Sequence, residues 1–196
     1  MKSRIILGKT LGIIALALIL IAQPVYSRDS ATSLFIELLG FIFLAIASFG
    51  RTWASAFISG KKDKHLTTDG PYSICRNPLY FFSFVGFIGV GFVFKSLIIL
   101  LVFLVIFSVT HIHTILNEEK KLQVIFSPEY DDYKRAVPRF FPNFKLFKTA
   151  DSVCFSPRIY TKALFESALI LSAYPILKII EWLHMHSILP VVFNIY

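Results

Sequence analysis

Residues 65–82, HLTTDGPYSICRNPLYFF, place two bends directly before a long apolar run. The segment Thr68–Tyr72 predicts a turn, because Asp caps locally, Gly permits a positive φ and Pro fixes its own φ. Asn77-Pro78 predicts a second bend just before a helix that starts at Leu79. A solvated linker needs neither bend. The stretch therefore predicts a structured loop at the mouth of an apolar helix.

The composition around this stretch is that of a membrane protein. The chain has 196 residues, of which 56% are hydrophobic, and its mean hydropathy is +0.68. Soluble domains are usually about 45–50% apolar. Long apolar runs alternate with short charged segments, which is typical of polytopic helical membrane proteins. We find no internal repeat, so residues 1–196 are expected to form a single all-α transmembrane bundle.

Five apolar runs predict about five spans. They cover residues 5–22, 34–50, 79–94, 96–110 and 163–180. Lys95 alone separates the third run from the fourth, which predicts a tight helical hairpin. Gly86, Gly89 and Gly91 in the third run are expected to allow close helix packing, since small residues do so in membranes. Residues 182–196 are apolar but short, and are either a second half-hairpin or an interfacial segment.

The first run allows two interpretations. It is expected to be a retained helix, because residues 5–22 are just long enough to cross a bilayer. The alternative is a signal peptide, with Val25 and Ser27 as the small residues of a cleavage site before Arg28.

Basic residues are distributed unevenly between the loops. The net charge is +8, and Lys and Arg cluster in segments 59–78 and 117–162. The opposite loops hold only Arg28 and Lys95. The positive-inside rule then places the N-terminus and both polar segments in the cytosol, and nucleic acid is not an expected partner. Cys75 and Cys154 would share this reducing side, so no structural disulfide is expected. No metal site is expected either.

The second polar segment begins with two acidic residues. Glu118 and Glu119 follow a predicted span, where an unpaired carboxylate is costly. We expect Glu118 to have a functional partner, and Glu119 to pair with Lys120, Lys121 or Arg135 on a solvated face.

The rest of this segment predicts two helices. Leu122, Ile125 and Phe126 recur at helical spacing, which predicts an amphipathic helix lying against the membrane. Ser127-Pro128 predicts a new helix with Ser127 as N-cap, and Pro138 is expected to end it.

Two motifs carry a resemblance to a known family. DGPYSICRNPLY (69–80) is followed, after the predicted hairpin, by NEEKKLQVIFSPEYDDYKRAVPRFFP (117–142). Together they resemble the isoprenylcysteine carboxyl methyltransferase and phospholipid methyltransferase family, whose members are small integral-membrane enzymes that use S-adenosylmethionine. The similarity covers residues 51–142, with an extra C-terminal span at 163–196. It implies a cytosolic cofactor pocket in the C-terminal half.

The resemblance also implies roles for individual residues. The positions that hold the cofactor in this family correspond to Lys64, His65, Leu66, Thr67, Tyr72, Asn77, Pro78, Leu79 and Tyr80, with Glu118 on the other side. A catalytic role at the substrate end is implied for Glu129, Arg135 and Arg139. Substrate contacts are implied for Thr114, Tyr130 and Tyr133.

The sequence departs from the family pattern at three places. Asn77 stands where the eukaryotic prenylcysteine enzymes have His, and it keeps hydrogen bonding but cannot titrate. Thr114 stands where those enzymes place a substrate-contacting Arg. Ser127-Pro128 replaces the usual Gly after Phe126.

The resemblance implies methyl transfer from S-adenosylmethionine to a lipid or lipidated acceptor taken from the bilayer. A carboxyl acceptor is the first expectation, with a phospholipid amine or a small thiol as alternatives. A non-catalytic membrane module with the same fold is the alternative outside the enzymes. The expected location is a bacterial or archaeal inner membrane with a cytosolic active site.

Overall fold

A computed structural model describes residues 2–24, 30–61 and 64–195, and side chains are not described for residues 2–9, 24 and 195. The elements in chain order are α1 (Lys2–Ile21), β1 (Ala22–Pro24), α2 (Ala31–Ile58), α3 (Pro71–Ile74), α4 (Pro78–Phe94), α5 (Leu97–Phe126), α6 (Glu129–Ala136), a 3-10 turn (Phe144–Leu146), α7 (Pro157–Met185) and β2 (Phe193–Ile195). The candidate cleavage site at Val25–Ser27, with Arg28, lies outside the described residues.

The long helices have the length and composition of membrane spans. Helices α2, α5 and α7 are each long and apolar enough to cross a bilayer, and the segments Thr10–Ile21 and Pro78–Phe94 are shorter apolar helices. Many of their large apolar side chains are exposed, which suits a surface in contact with lipid. The predicted all-α membrane bundle is therefore confirmed.

Helices α4 and α5 form the predicted hairpin. Helix α4 ends at Phe94, Lys95 takes the left-handed conformation with φ 58°, and α5 begins at Leu97. Helix α4 packs closely on α2, because a Cβ built on Gly40 would lie 2.6 Å from the backbone nitrogen of Val93, and one on Gly89 would lie 3.0 Å from the carbonyl oxygen of Gly40. Glycines thus bring these helices together, as predicted.

The turn between α4 and α5 contains a buried cluster of ion pairs. The side chain of Lys95 is 3% exposed, although a loop charge was expected there. Its Nζ lies 3.0 Å from Glu181 Oε1 and 3.6 Å from Glu37 Oε2, and Lys178 pairs with both carboxylates. Tyr174 donates a hydrogen bond to Glu37. Two lysines and two glutamates balance their charges and join α2, the hairpin and α7.

The C-terminal part differs from the prediction. Helix α7 continues to Met185, past the expected end at residue 180, and β2 then pairs in parallel with β1. No second half-hairpin helix follows α7 in the described part of the chain.

The prediction of a separate amphipathic helix lying along the membrane is also wrong. Residues 122–126 are the last turns of α5, which runs unbroken from Leu97 to Phe126. Ser127 caps the end of α5 and Pro128 occupies the N-cap of α6, one residue later than predicted. Helix α6 ends before Pro138, as expected.

Candidate functional site

The loop quoted at the start is held by hydrogen bonds to the segment before α7. Gly70 has φ 59°, and a Cβ there would lie 2.4 Å from the Phe57 ring, so the turn needs glycine. The Gly70 N–H donates to the Lys148 carbonyl at 2.8 Å, and the Lys148 N–H donates to Ser73 Oγ at 3.0 Å. The N–H of Asn143 donates to the Ile74 carbonyl at 2.9 Å. The predicted turn is confirmed, and its backbone is fixed by tertiary contacts.

The second bend is tied to the segment that follows α6. The Arg76 N–H donates to the Pro138 carbonyl at 2.9 Å. Asn77 Nδ2 donates to the Arg139 carbonyl at 3.0 Å and to Glu119 Oε1 at 2.9 Å. The Cys75 thiol donates to the Phe140 carbonyl at 3.0 Å, and burial raises its pKa to about 11. This cysteine therefore stays protonated at neutral pH and is a structural donor.

Glu119 is the centre of this arrangement. Its side chain is 8% exposed, with Oε1 3.6 Å from Arg76 Nη2 and Oε2 3.0 Å from Arg139 Nε. The prediction of a solvated face with Lys120, Lys121 or Arg135 was wrong, because the end of α5 turns Glu119 toward the Asn77 bend. A buried carboxylate is stabilised only when it has such partners, and here Asn77 and Arg139 donate hydrogen bonds to it while Arg76 adds an ion pair.

A cavity of about 270 Å³ opens beside this network, between the ends of α2, α4, α5 and α6. Most of the predicted cofactor positions line it: His65, Leu66, Thr67, Tyr72, Asn77, Pro78, Leu79, Tyr80 and Glu118. Tyr133, predicted for the substrate, lines it as well. The remaining lining residues are Ile58, Arg76, Lys121 and Leu122. The two motifs therefore meet at one cavity, although 37 positions separate Tyr80 from Asn117.

Arg76 and Lys121 were not predicted as site residues. The charge of Arg76 inside a proline-bounded loop was the available signal, together with the position of Lys121 one turn after Glu118. A second cavity of about 210 Å³ shares residues His65, Leu66 and Thr67 with the first. That segment forms a wall between the two spaces.

The other predicted residues do not line the main cavity. Lys64 is exposed and Thr114 bonds the Thr110 carbonyl on its own helix. Glu129 is exposed, and Arg135 pairs with Asp132 at 3.8 Å on the solvent side. Tyr130 is 1% exposed in a small core, and Arg139 pairs with Glu119. Glu129, Tyr130, Tyr133 and Arg135 all lie on α6, and because helical residues point in different directions around the axis, only Tyr133 of these four lines the cavity.

Helix α6 is joined to the loop by the buried side chain of Tyr133. The Tyr133 hydroxyl donates to the Tyr72 carbonyl at 2.7 Å. Burial raises the pKa of both the Tyr72 and the Tyr133 phenols, so both stay neutral at physiological pH. They offer the cavity aromatic faces and no negative charge, while the Tyr133 O–H is used in the bond to Tyr72.

Three residues that line the cavity have buried polar atoms without a hydrogen-bond partner in the part of the chain that the structure describes. The atoms are Thr67 Oγ1, the Tyr72 hydroxyl and two guanidinium nitrogens of Arg76. Buried donors without partners are rare in folded proteins, and each one calls for a ligand or water. These atoms indicate a site built for a polar ligand.

Two histidines of the long helices, His111 and His184, have packing contacts. His111 stacks on Phe107 with ring centroids 4.5 Å apart, and it lies outside the cavity lining. His184 Nε2 lies 2.9 Å from the Leu20 carbonyl. Within the described ranges, no group of three or more His, Cys, Asp or Glu is arranged to hold a metal ion, and both cysteines are free.

An all-α membrane bundle with a cavity at one end, lined by residues of two motif-bearing segments, defines an integral-membrane class of protein. The chain belongs to the phospholipid methyltransferase family, whose model matches residues 31–129. This range contains α2 to α5 and most of the cavity lining. The expected family membership is confirmed.

Two curated relatives carry names that refer to metals. The nickel-cobalt-cadmium resistance protein NccN of Alcaligenes xylosoxydans xylosoxydans is 32% identical over 157 residues, covering 77% of this chain and 73% of the relative. The cobalt-zinc-cadmium resistance protein CzcN of Cupriavidus metallidurans is 37% identical over 110 residues, covering 56% of this chain and 50% of the relative. No solved structure matches the chain at a significant level.

Replacing Glu119 is expected to destabilise the fold. Glu119→Gln removes the charge that compensates the buried guanidinium of Arg76, and breaking a buried pair of this kind costs about 3 kcal/mol or more. Thermal unfolding of the detergent-purified protein measures the change. The matched control is Lys120→Gln, which alters an exposed charge at the next position of α5.

The expected result is a clear fall in the melting temperature for Glu119→Gln and an unchanged value for Lys120→Gln. Equal melting temperatures for the two variants would contradict the structural role of Glu119.

Proposed function

We propose that this protein transfers a methyl group from S-adenosylmethionine to a lipid-like acceptor in the membrane. The observation that carries the proposal is the cavity itself. It collects nearly all of the positions that the family resemblance assigns to the cofactor, and it adds buried donors that lack a partner among the described residues. Family membership supports the same activity.

The residues present fit such a cofactor in chemistry. Segment 65–67 borders both the main cavity and the neighbouring one of about 210 Å³. Thr67 Oγ1 and the Tyr72 hydroxyl suit the hydroxyl and nitrogen atoms of a nucleoside. Glu118 and the faces of Tyr72 and Tyr80 suit a cationic group.

The cofactor supplies an electrophilic methyl group on a sulfonium. The chain supplies alignment and exclusion of water, which carry most of the work in an in-line displacement. Tyr72 is held by Tyr133 through its carbonyl, and Asn77 is held by Glu119. The walls on which the ligand would lie are thus fixed in advance. Glu118 provides the negative charge that would attract the cationic cofactor.

For the acceptor we propose a carboxylate first. Arg76 and Lys121 line the cavity and suit an anionic head group, whereas Arg135 lies on the solvent side and Arg139 pairs with Glu119. A carboxylate also reacts without prior loss of a proton. The second candidate is a phospholipid amine, which the description of the matching family favours.

The relatives' names suggest a biological context. Both are called resistance proteins for cobalt, cadmium and a third metal. We propose that methylation of a membrane component by this chain contributes to metal resistance. The proposal rests on those names and on the methyltransferase family of the chain.

We also propose a bacterial inner membrane as the location, with the cavity in the cytosol. The basic residues cluster in the segments that surround the cavity, and the positive-inside rule places them on the cytosolic side. This orientation gives the cavity access to the soluble cofactor pool.

Glu118→Gln is expected to reduce methyl transfer. If the carboxylate holds the cofactor, its loss removes a charged hydrogen bond, which corresponds to a roughly ten- to hundredfold weaker affinity. Membranes containing the protein are incubated with methyl-labelled S-adenosylmethionine, and the label is followed into lipid and into base-labile ester. Lys120→Gln, an exposed change on the same helix, serves as control.

Label released by mild base identifies a carboxyl acceptor, and base-stable label in lipid identifies an amine. Transfer by Glu118→Gln at the rate of Lys120→Gln would overturn the role of Glu118. The absence of any label above that of membranes lacking the protein would overturn the proposed activity.

The orientation is tested with the natural cysteines. Cys154 is exposed and Cys75 is buried, so a membrane-impermeant maleimide is expected to label Cys154 only after spheroplasts are permeabilised. In a Cys154→Ser background, Leu97→Cys at the hairpin end is expected to be labelled in intact spheroplasts, since Leu97 is exposed. The reverse pattern would contradict a cytosolic cavity.

A further inference from the structure

Arg76 is a buried cation whose donors are only partly used. Its side chain is 7% exposed and lines the main cavity. The only ion pair of Arg76 recorded within the described residues joins Nη2 to Glu119 Oε1 at 3.6 Å. Its Nε and Nη1 are buried without a hydrogen-bond partner in the same ranges. A guanidinium has five N–H donors in a fixed fork, and a buried one normally satisfies them.

The nearby carboxylate does not neutralise this site. Glu119 is shared between Arg76 and Arg139, and it also accepts from Asn77. Two guanidinium charges against one carboxylate leave a net charge of +1 at the cavity wall. Arg139 is about half exposed, so water screens its charge, whereas Arg76 is enclosed. The enclosed positive charge therefore faces the cavity.

The backbone prevents Arg76 from turning away to solvent. Its N–H is bonded to the Pro138 carbonyl, and the next residue, Asn77, is held by two hydrogen bonds. The first turn of α4, at Pro78–Tyr80, lines the same cavity. A helix N-terminus adds a partial positive charge, which favours an anion in the same space.

The charges around the cavity have a complementary arrangement. Glu118 lines it as well, and it is hydrogen-bonded to Tyr80. A ligand with one oxyanion and one cationic group could thus meet Arg76 with the first and Glu118 with the second. The guanidinium N–H groups that lack a partner suit an oxygen of a carboxylate or phosphate, because a charged donor and a charged acceptor make a strong hydrogen bond.

We propose that Arg76 is the oxyanion-binding residue of the cavity, an inference that rests on the proposed methyltransferase function. The oxyanion is either the carboxylate at the amino-acid end of the cofactor or the anionic head group of the acceptor. Glu119 is then a positioning residue, which holds the guanidinium by Nη2 and leaves one of the two unpartnered nitrogens, Nε or Nη1, to donate to the oxyanion.

The test uses the full-length protein in detergent and three probes. S-adenosylhomocysteine carries the amino-acid carboxylate, methylthioadenosine is the same nucleoside thioether without it, and dodecyl phosphate is a single-chain anionic amphiphile. The variants are Arg76→Gln and the double variant Arg76→Gln/Glu119→Gln. The double variant removes both buried charges, so its melting temperature shows whether a loss of binding comes from unfolding.

If the cofactor supplies the oxyanion, both variants bind S-adenosylhomocysteine about ten- to a hundredfold more weakly, as the loss of a charged hydrogen bond predicts. Methylthioadenosine then binds as it does to the wild type. If the acceptor supplies the oxyanion, both variants bind both nucleosides as the wild type does. Dodecyl phosphate then no longer raises the melting temperature of the variants. In each case the double variant is expected to have a higher melting temperature than Arg76→Gln, while its affinity for the affected probe stays as low.

The proposal is overturned if the double variant binds all three probes as the wild type does. It is equally overturned if the affinities for S-adenosylhomocysteine and for methylthioadenosine fall by the same factor, since Arg76 would then only support the fold. Failure of the wild type to bind either nucleoside contradicts the proposed function itself.

Discussion

The carboxylate of Glu119 joins the two polar segments that flank the α4–α5 hairpin. It bonds Asn77 in the loop before α4, and it pairs with Arg76 and Arg139 on either side. A charge at the end of a membrane helix is stable only with such partners. Because one side chain contacts both segments, the position of the loop depends on the position of α5. The cavity forms where these two are held together.

The remaining site follows from that constraint. With Asn77 fixed, Pro78–Tyr80 begin α4 at the cavity edge, while Glu118 faces the cavity from the adjacent position of α5. Tyr133 closes another side through its bond to the Tyr72 carbonyl. At the opposite end of the hairpin, Lys95 and Lys178 with Glu37 and Glu181 join the hairpin to α2 and α7. The spans are thus anchored at both ends by buried charges, with glycine-mediated packing between them.

Sequence patterns were sufficient where the determinants are local. Proline and glycine at fixed positions predicted the loop bends, and a lone lysine between apolar runs predicted the hairpin. The patterns failed where the partner is distant along the chain. Glu119 is bonded to residues 42 and 20 positions away, so only the tertiary fold shows that it is buried. Successive residues of a helix point about 100° apart, which is why Glu118 and Glu119 serve different surfaces. Arg135 faces solvent for the same geometric reason.

The central claim is that the cavity between these segments binds the methyl donor. Ultraviolet crosslinking of labelled S-adenosylmethionine to the detergent-purified protein, followed by peptide mapping, tests it directly. The account predicts label in peptides that contain residues 65–80 and 118–122, and loss of that label with excess S-adenosylhomocysteine. Label confined to α7, or label that S-adenosylhomocysteine does not displace, would contradict it.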